Sequence, residues 1–259
     1  KLFCIAPAPF LDQMLAKGKS ALLFSASFTP LAYYQDVLGG GKEALRYKLP
    51  SPFPPEHQRI LVADYIETTY RKRQASLPLV VDAIYQMVTG KTGNYLVFFP
   101  SYQYLDEVAS LFASNHPEIT CLIQDTQMVE EEREAFLARF EANPIETLVG
   151  FCVLGGIFSE GIDLKGDRLI GTAIVGVGLP QMNHEQDLIK NYFDDAQGKG
   201  FEYAYQLPGM NKVLQAAGRV IRYVSDFGVF LLLDQRFISP RYQKLFPQHW
   251  RHARLVHDT

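Results

Sequence analysis

Cysteine is scarce in this chain: Cys4, Cys121 and Cys152 stand far apart in 259 residues and show no paired spacing. That excludes a disulfide scaffold and a thiolate zinc site; the three read as small buried residues of a reducing compartment. A dominant charge is lacking too, with 25 Lys and Arg against 28 Asp and Glu, net −3. A whole-chain basic footprint for nucleic acid is excluded, so any such binding must use local patches. No run of about 18 apolar residues and no signal peptide are present, so the chain reads as cytoplasmic, with no membrane partner. Neither GxSxG nor HExxH occurs, which removes two common hydrolase signatures. What is plentiful is apolar residues, 47% of the chain, enough for a large core. The chain opens on Lys1, inside an ordered-looking stretch, and this reads as part of something longer.

Short apolar runs alternate with helical patterns. The runs at 21–25, 60–64, 95–99, 120–123, 147–153, 169–175 and 229–234 read as strands. The periodic stretches at 77–89, 102–114, 130–141, 185–196, 211–223 and 240–245 read as helices. The alternation implies an α/β fold, a three-layer sandwich around a mainly parallel sheet. Residues 49–57, LPSPFPPEH, read as an extended connection. Open parallel sheets bind ligands beyond the carboxyl ends of their strands, which directs attention to the loops after Phe99, Val153, Val175 and Asp234.

Gln215-Ala216-Ala217-Gly218-Arg219-Val220-Ile221-Arg222 carries the strongest pattern. On a helix, Gln215, Arg219 and Arg222 share one face, and Val213, Leu214, Ala217, Val220 and Ile221 share the other. Two guanidiniums side by side suit a polyphosphate; two solvated surface arginines are the plain alternative. Asn211 is a plausible N-cap of this helix. The loop after 147–153 holds Gly155, Gly156 and Gly161, which let a backbone approach a ligand, with Ser159, Glu160 and Asp163 as polar handles. Asp163 could accept from a ribose hydroxyl or an arginine, or simply cap a turn. Ser101 is a natural N-cap whose helix start could hold a phosphate, and Tyr102 and Tyr104 could add hydroxyl or stacking contacts. Simple capping and core packing is the preferred reading of these residues taken in isolation.

Three features are set aside. Gly90-Lys91-Thr92 lacks the earlier glycine of a phosphate loop and follows a helix, so Gly90 reads as a C-cap. Asp234 ends an apolar strand but is followed by Gln235, not by a second acid. His249 and His252 have no carboxylate or cysteine support for a metal and read as a solvated basic tail.

Taken in order, these segments resemble the C-terminal motor half of the DinG/XPD-like branch of superfamily 2 DNA helicases. Ser25-Ala26-Ser27-Phe28-Thr29-Pro30 is similar to motif III, with Ser27 and Phe28 in place of the usual Thr and Leu. Residues 97–102 are similar to motif IV, Phe158-Ser159-Glu160-Gly161-Ile162-Asp163 to motif V, and residues 215–222 to motif VI, closed by Asp234-Gln235-Arg236-Phe237. The resemblance implies a RecA-like domain. It also implies that residues 1–30 are the tail of the first motor domain and 31–259 the second. That first domain would be the partner within the same polypeptide and would hold most of the ATP phosphates and Mg2+. Arg219 and Arg222 would be arginine fingers, with Gln215 positioning nucleotide or water and Gly161, Asp163 and Gly218 lining the ATP cleft. Ser101, Tyr102, Phe158 and Ser159 would contact single-stranded DNA, and Lys165, Arg168 and Lys199 could add phosphate contacts. No cysteine set for an iron–sulfur cluster lies in this stretch. The implied activity is ATP-dependent strand translocation, absent from the chain on its own. A non-catalytic module binding single-stranded DNA or a protein, and an RNA-directed motor, remain open alternatives. The run 21–25 would belong to the first domain's sheet, and without it should be disordered, folded back, or paired with another copy.

Overall fold

A computed structural model describes residues 3–41, 43–159 and 161–257. Seven strands form one sheet: β1 (Gln58–Ala63), β2 (Asn94–Phe99), β3 (Thr120–Ile123), β4 (Leu148–Val153), β5 (Gly171–Val175), β6 (Gly228–Leu233) and β7 (Arg254–Val256). Their order is β3-β4-β2-β5-β6-β1-β7, and every pairing is parallel. The central strands are continuous apolar runs because both faces are covered; every residue of β2 is buried. The margins, β3 and β7, are short and partly exposed, as margins that must not recruit another strand should be.

Eight α-helices are described: α1 (Ala8–Leu15), α2 (Leu31–Leu38), α3 (Arg73–Thr89), α4 (Tyr102–Asn115), α5 (Glu130–Ala138), α6 (His184–Gln197), α7 (Leu207–Ala217) and α8 (Pro240–Gln243). The period-two alternation of strand side chains sorts them into layers. Tyr95, Val97, Phe99, Val149 and Phe151 pack with Val80, Ile84 and Val88 of α3 and Leu105, Val108 and Phe112 of α4. Leu96, Phe98, Leu148 and Cys152 pack on the other face with Phe136 of α5 and Val213, Ala216 and Ala217 of α7. The expected three-layer α/β sandwich is therefore present.

Several expected elements differ. Residues 21–25 form no strand; Leu22, Leu23 and Phe24 are exposed and, with Phe28, Tyr33, Tyr34, Val37 and Leu38, line an open apolar cleft of about 480 Å³. A lone strand gains nothing without a sheet to join, and no described strand lies beside it. The C-terminal stretch is not a solvated tail: Trp250 is buried, His252 Nε2 lies 2.7 Å from the Gln58 carbonyl oxygen, and β7 extends the sheet beside β1. Residues 49–57 are extended as expected until a single 3-10 turn at Pro55–His57. Gly90 stands at the C-cap of α3. The helix expected at 211–223 instead spans Leu207–Ala217 and continues directly from a π-helical turn at Glu202–Gln206. Asn211 is thus inside α7 and not its cap, and its Oδ1 is buried without a hydrogen-bond partner among the described residues.

Candidate functional site

Helix α7 runs against the strand direction. Near its start Gly209 lies against Val177 and Gly178, just past the carboxyl end of β5. Beyond its end Val220 and Ile221 cover Gly228, the first residue of β6. Eleven residues at about 1.5 Å each carry it roughly 16 Å across the sheet. The segment 154–168 makes the same crossing. Leu154 N donates to the Phe99 carbonyl at the carboxyl edge (2.8 Å), and the Arg168 carbonyl accepts from Asn94 Nδ2 at the amino edge (3.1 Å).

These two crossings bring the arginines to the amino edge. Both lie beyond the helix: α7 stops at Ala217, Gly218 occupies its C-cap (φ −64°, ψ 1°), and Arg219 sits in the following turn. The shared helical face expected for them is therefore replaced by a different construction. Arg219 Nε donates to the Gln215 carbonyl (3.2 Å), capping the helix it follows, and Nη1 reaches the Ile162 carbonyl (3.4 Å). Arg222 Nε lies 3.5 Å from Asp163 Oδ1, and the other Asp163 oxygen meets Lys165 Nζ at 3.2 Å. Asp226 Oδ2 fixes the arginine loop by accepting from the Arg222 and Tyr223 amides (2.8 and 2.7 Å). Gly161 turns the neighbouring backbone at φ +72°, a conformation that favours glycine. Gln215, Gly218, Arg219, Arg222, Gly161 and Asp163 thus occupy one region, and Glu160 lies outside the described residues. Arg222 is about one-third exposed and Asp163 about one-half, so their ion pair contributes under about 1 kcal/mol and can be exchanged cheaply for a phosphate contact. Lys165 is pushed above its ordinary pKa, first by a hydrogen bond with Tyr223 and then by Asp163.

The carboxyl edge carries the other expected residues. Ser101 caps α4, its side chain accepting from the Tyr104 amide (3.4 Å). The Tyr102 hydroxyl accepts from Gln124 Nε2 (2.9 Å), while Gln124 Oε1 accepts from the Val153 amide (2.9 Å). Among the described residues the phenol donates to no partner and remains available to a ligand. Burial pushes its pKa up, and Gln124 partly offsets that.

Phe158 and Ser159 are corrections to the expected DNA contacts. Both are 0% exposed. The Phe158 ring stacks on Phe136 at 4.3 Å and so offers no face to a base; Ser159 Oγ donates to the Gly156 carbonyl (2.8 Å). Arg168 is structural as well, with Nε on the Phe140 carbonyl (2.7 Å) and Nη2 on that of Leu137 (3.2 Å), closing the segment after α5. Lys199 stands 5.7 Å from the Tyr203 ring, away from either cluster.

Two residues without a motif signal belong to the carboxyl edge. Gln124 is 2% exposed and fixes Tyr102. Lys212 of α7 drapes over Gly155 (φ +72°), where a Cβ would come within 3.1 Å of its Cε. Among the described residues Lys212 has no ion pair. Asp234 holds the edge together. It is wholly buried and accepts from the Thr68 amide and hydroxyl, the Arg236 amide, and the Arg236 guanidinium at 2.8 Å. Burial alone would lower the Arg236 pKa, but the bonds and charge of Asp234 outweigh it and raise it. Among the described residues no three His, Cys, Asp or Glu side chains gather as a metal site, and no helix is long and apolar enough to cross a membrane.

With this geometry in place, residues 84–253 match the family described as the helicase C-terminal domain. The chain belongs to that family. It is similar to the ATP-dependent DNA helicase CHL1 of Candida albicans, with 25% identity across 98% of this chain and 33% of the relative. It is also similar to the ATP-dependent DNA helicase DinG of Photobacterium profundum, with 29% identity across 90% of this chain and 34% of the relative. The chain thus spans about one-third of the length of these curated relatives. Solved XPD structures share its fold: an apo form gives a TM-score of 0.73 at 18% identity over 96% of this chain and 50% of that one. A second XPD helicase gives 0.71 at 21% identity over 96% and 44%. The RecA-like architecture and the DinG/XPD-like relationship read from the motifs are therefore established.

Proposed function

We propose that this domain is the C-terminal motor half of an ATP-dependent DNA helicase, with residues 1–30 belonging structurally to the preceding motor domain. The observation that carries the reading is the meeting of Arg219, Arg222 and Asp163 at the amino edge, where the two crossings of the sheet end. ATP bound against this edge would place its phosphates beside two permanent cations. Arg219 is steadied by the Gln215 and Ile162 carbonyls, and Arg222 by an ion pair weak enough to yield. Such fixed charge stabilises the negative charge that shifts during γ-phosphoryl transfer. Gln215 and Gly218 line the same turn. Mg2+ fits poorly here, because Asp163 is already committed to Lys165 and Arg222, so its ligands fall to the partner domain. Single-stranded DNA would lie on the opposite edge, along the Ser101 helix start and the Tyr102 hydroxyl, whose proton has no acceptor among the described residues.

The test is kinetic. The chain by itself should show no appreciable ATP turnover, and the complete protein should turn over. Arg219→Ala or Arg222→Ala in the complete protein should then cost about 3 or more decades in turnover. Brisk hydrolysis by the isolated chain, or an unimpaired double variant, overturns the assignment.

A further inference from the structure

Outside both clusters lies the most basic run of the chain, Tyr70-Arg71-Lys72-Arg73. It follows β1 at the carboxyl edge and leads into α3. Thr68, two residues earlier, is tied to Asp234 past the end of β6, so the run springs from a fixed point. Tyr70 is 84% exposed, and Arg71 and Lys72 are exposed. The Arg73 guanidinium lies 4.3 Å from the ring of Tyr104 in the first turn of α4 and 5.8 Å from the Tyr70 ring. Its Nε is buried without a hydrogen-bond partner among the described residues. The cation thus ties Tyr70 to the helix that Ser101 caps and Tyr102 begins.

The neighbouring acids do not neutralise the run. Glu107 accepts from Gln74 and Gln103 (2.9 and 3.0 Å), and Glu67 from Thr69 (2.9 Å). Among the described residues neither Arg71 nor Lys72 takes part in an ion pair. An exposed aromatic face beside two unpaired cations suits one ligand chemistry: a flexible polyanion with planar bases.

We propose that Tyr70, Arg71 and Lys72 form a single-strand nucleic-acid subsite, in which a base stacks on Tyr70 and the flanking phosphates meet Arg71 and Lys72. It rests on the reading of the carboxyl edge as the nucleic-acid side and extends that track past Ser101 and Tyr102 to the start of α3. Arg73 positions Tyr70 and is not itself assigned a phosphate.

The experiment measures anisotropy of a fluorescent oligothymidylate titrated with the full chain across a salt series. Arg71→Gln/Lys72→Gln should flatten the log–log salt dependence by roughly 1.4, about 0.7 for each phosphate no longer neutralised. Tyr70→Ala should weaken binding about tenfold with the salt slope unchanged, and Tyr70→Trp should restore it. Lys91→Gln/Arg139→Gln removes equal charge from the amino edge and should leave the slope as it was. All these side chains are exposed, so unfolding is not expected, and thermal melting verifies this. If wild type binds and the Arg71/Lys72 variant keeps its slope while the amino-edge control keeps its own, the subsite is wrong and the carboxyl-edge reading stands; if the amino-edge control loses as much, both the subsite and the carboxyl-edge reading are wrong. A wild-type chain that binds no oligonucleotide overturns both.

Discussion

Gly209→Ala should destabilise the domain, although the same substitution inside most helices stabilises it. Alanine is favoured over glycine in a helix interior by about 0.5–1 kcal/mol because it loses less backbone entropy. Gly209 lies in the first turns of α7, so propensity alone forecasts a gain. Contact geometry reverses the sign. A Cβ at 209 would stand 2.8 Å from the Val177 carbonyl oxygen and 3.0 Å from both the carbonyl carbon and oxygen of Gly178. These are main-chain atoms of a turn at φ +67°, so no side chain can swing aside. Restoring ordinary contact near 3.5 Å requires α7 to retreat by roughly 0.7 Å. Overpacking of this kind costs about 1–3 kcal/mol. The net loss is then about 0–2.5 kcal/mol, centred near 1, or a melting temperature lower by roughly 2–4 °C at that centre for a domain of this size. Gly218→Ala is the internal control. Its φ of −64° suits alanine, and the nearest atoms, the Leu214 and Gln215 carbonyl oxygens, stand at 3.3 and 3.5 Å. Scanning calorimetry of both variants decides the matter. A Gly209→Ala protein melting at or above wild type would show that α7 does not depend on this close approach.

Two further outcomes follow from buried charge. Asp234→Ala leaves the buried Thr68 donors and the part-exposed Arg236 guanidinium without their acceptor, and should cost about 1–3 kcal/mol in denaturant unfolding; an unchanged stability would remove Asp234 as the fastening of the carboxyl edge. His249 is held below the ordinary imidazole pKa, first by burial and then by His252 and Lys48. The unfolded chain therefore takes up the proton first as pH falls below about 6.5, and the stability that His249 contributes, complete above that value, is lost towards its folded-state pKa. Melting temperature should drop between about pH 7.5 and 5.5, and drop less in His249→Asn; parallel profiles would refute the linkage.

The central strands are legible because their burial is nearly complete. A run such as Asn94–Phe99 sits inside a parallel sheet, where both faces demand apolar residues, and its boundaries shifted by a single position from 95–99. α1 and α2 escaped notice because neither contains a buried residue: Phe10 and Met14 of α1 stay exposed, so no core-facing period marks them. β7 is three residues long, with two of them exposed. The end of α7 was misplaced for a more instructive reason. Val220 and Ile221 are buried and continue the apolar period past Ala217, but they are buried against Gly228 at the start of β6 and not as part of a helix. The residue types and their neighbourhood were therefore right while the backbone was not. Phe158 shows the converse: its place in the motif was legible, but its ring faces Phe136, and no local pattern in 154–163 reports that.

The rule that ligands gather at the carboxyl ends of strands captured only half of the arrangement. It locates Ser101, Tyr102, Gln124 and the glycine turn at 155–156. It cannot locate Arg219, Arg222 or Asp163, because α7 and the segment 154–168 each leave the carboxyl edge and finish at the amino edge. Six-residue strands separate the two edges by roughly 20 Å, and these two crossings carry residues of both clusters. They also touch one another at each end: Lys212 of α7 on Gly155 at the carboxyl edge, and Arg219 on the Ile162 carbonyl towards the amino edge. A displacement of one crossing is therefore felt by the other at both ends. Under the motor reading, a strand bound at one edge and a nucleotide at the other would be coupled through this pair of crossings. Gly209 is where α7 presses on the main chain just past the carboxyl end of β5. An alanine there should weaken the dependence of ATP turnover on single-stranded DNA in the complete protein by more than it weakens DNA binding itself. Equal losses in both would place the coupling elsewhere.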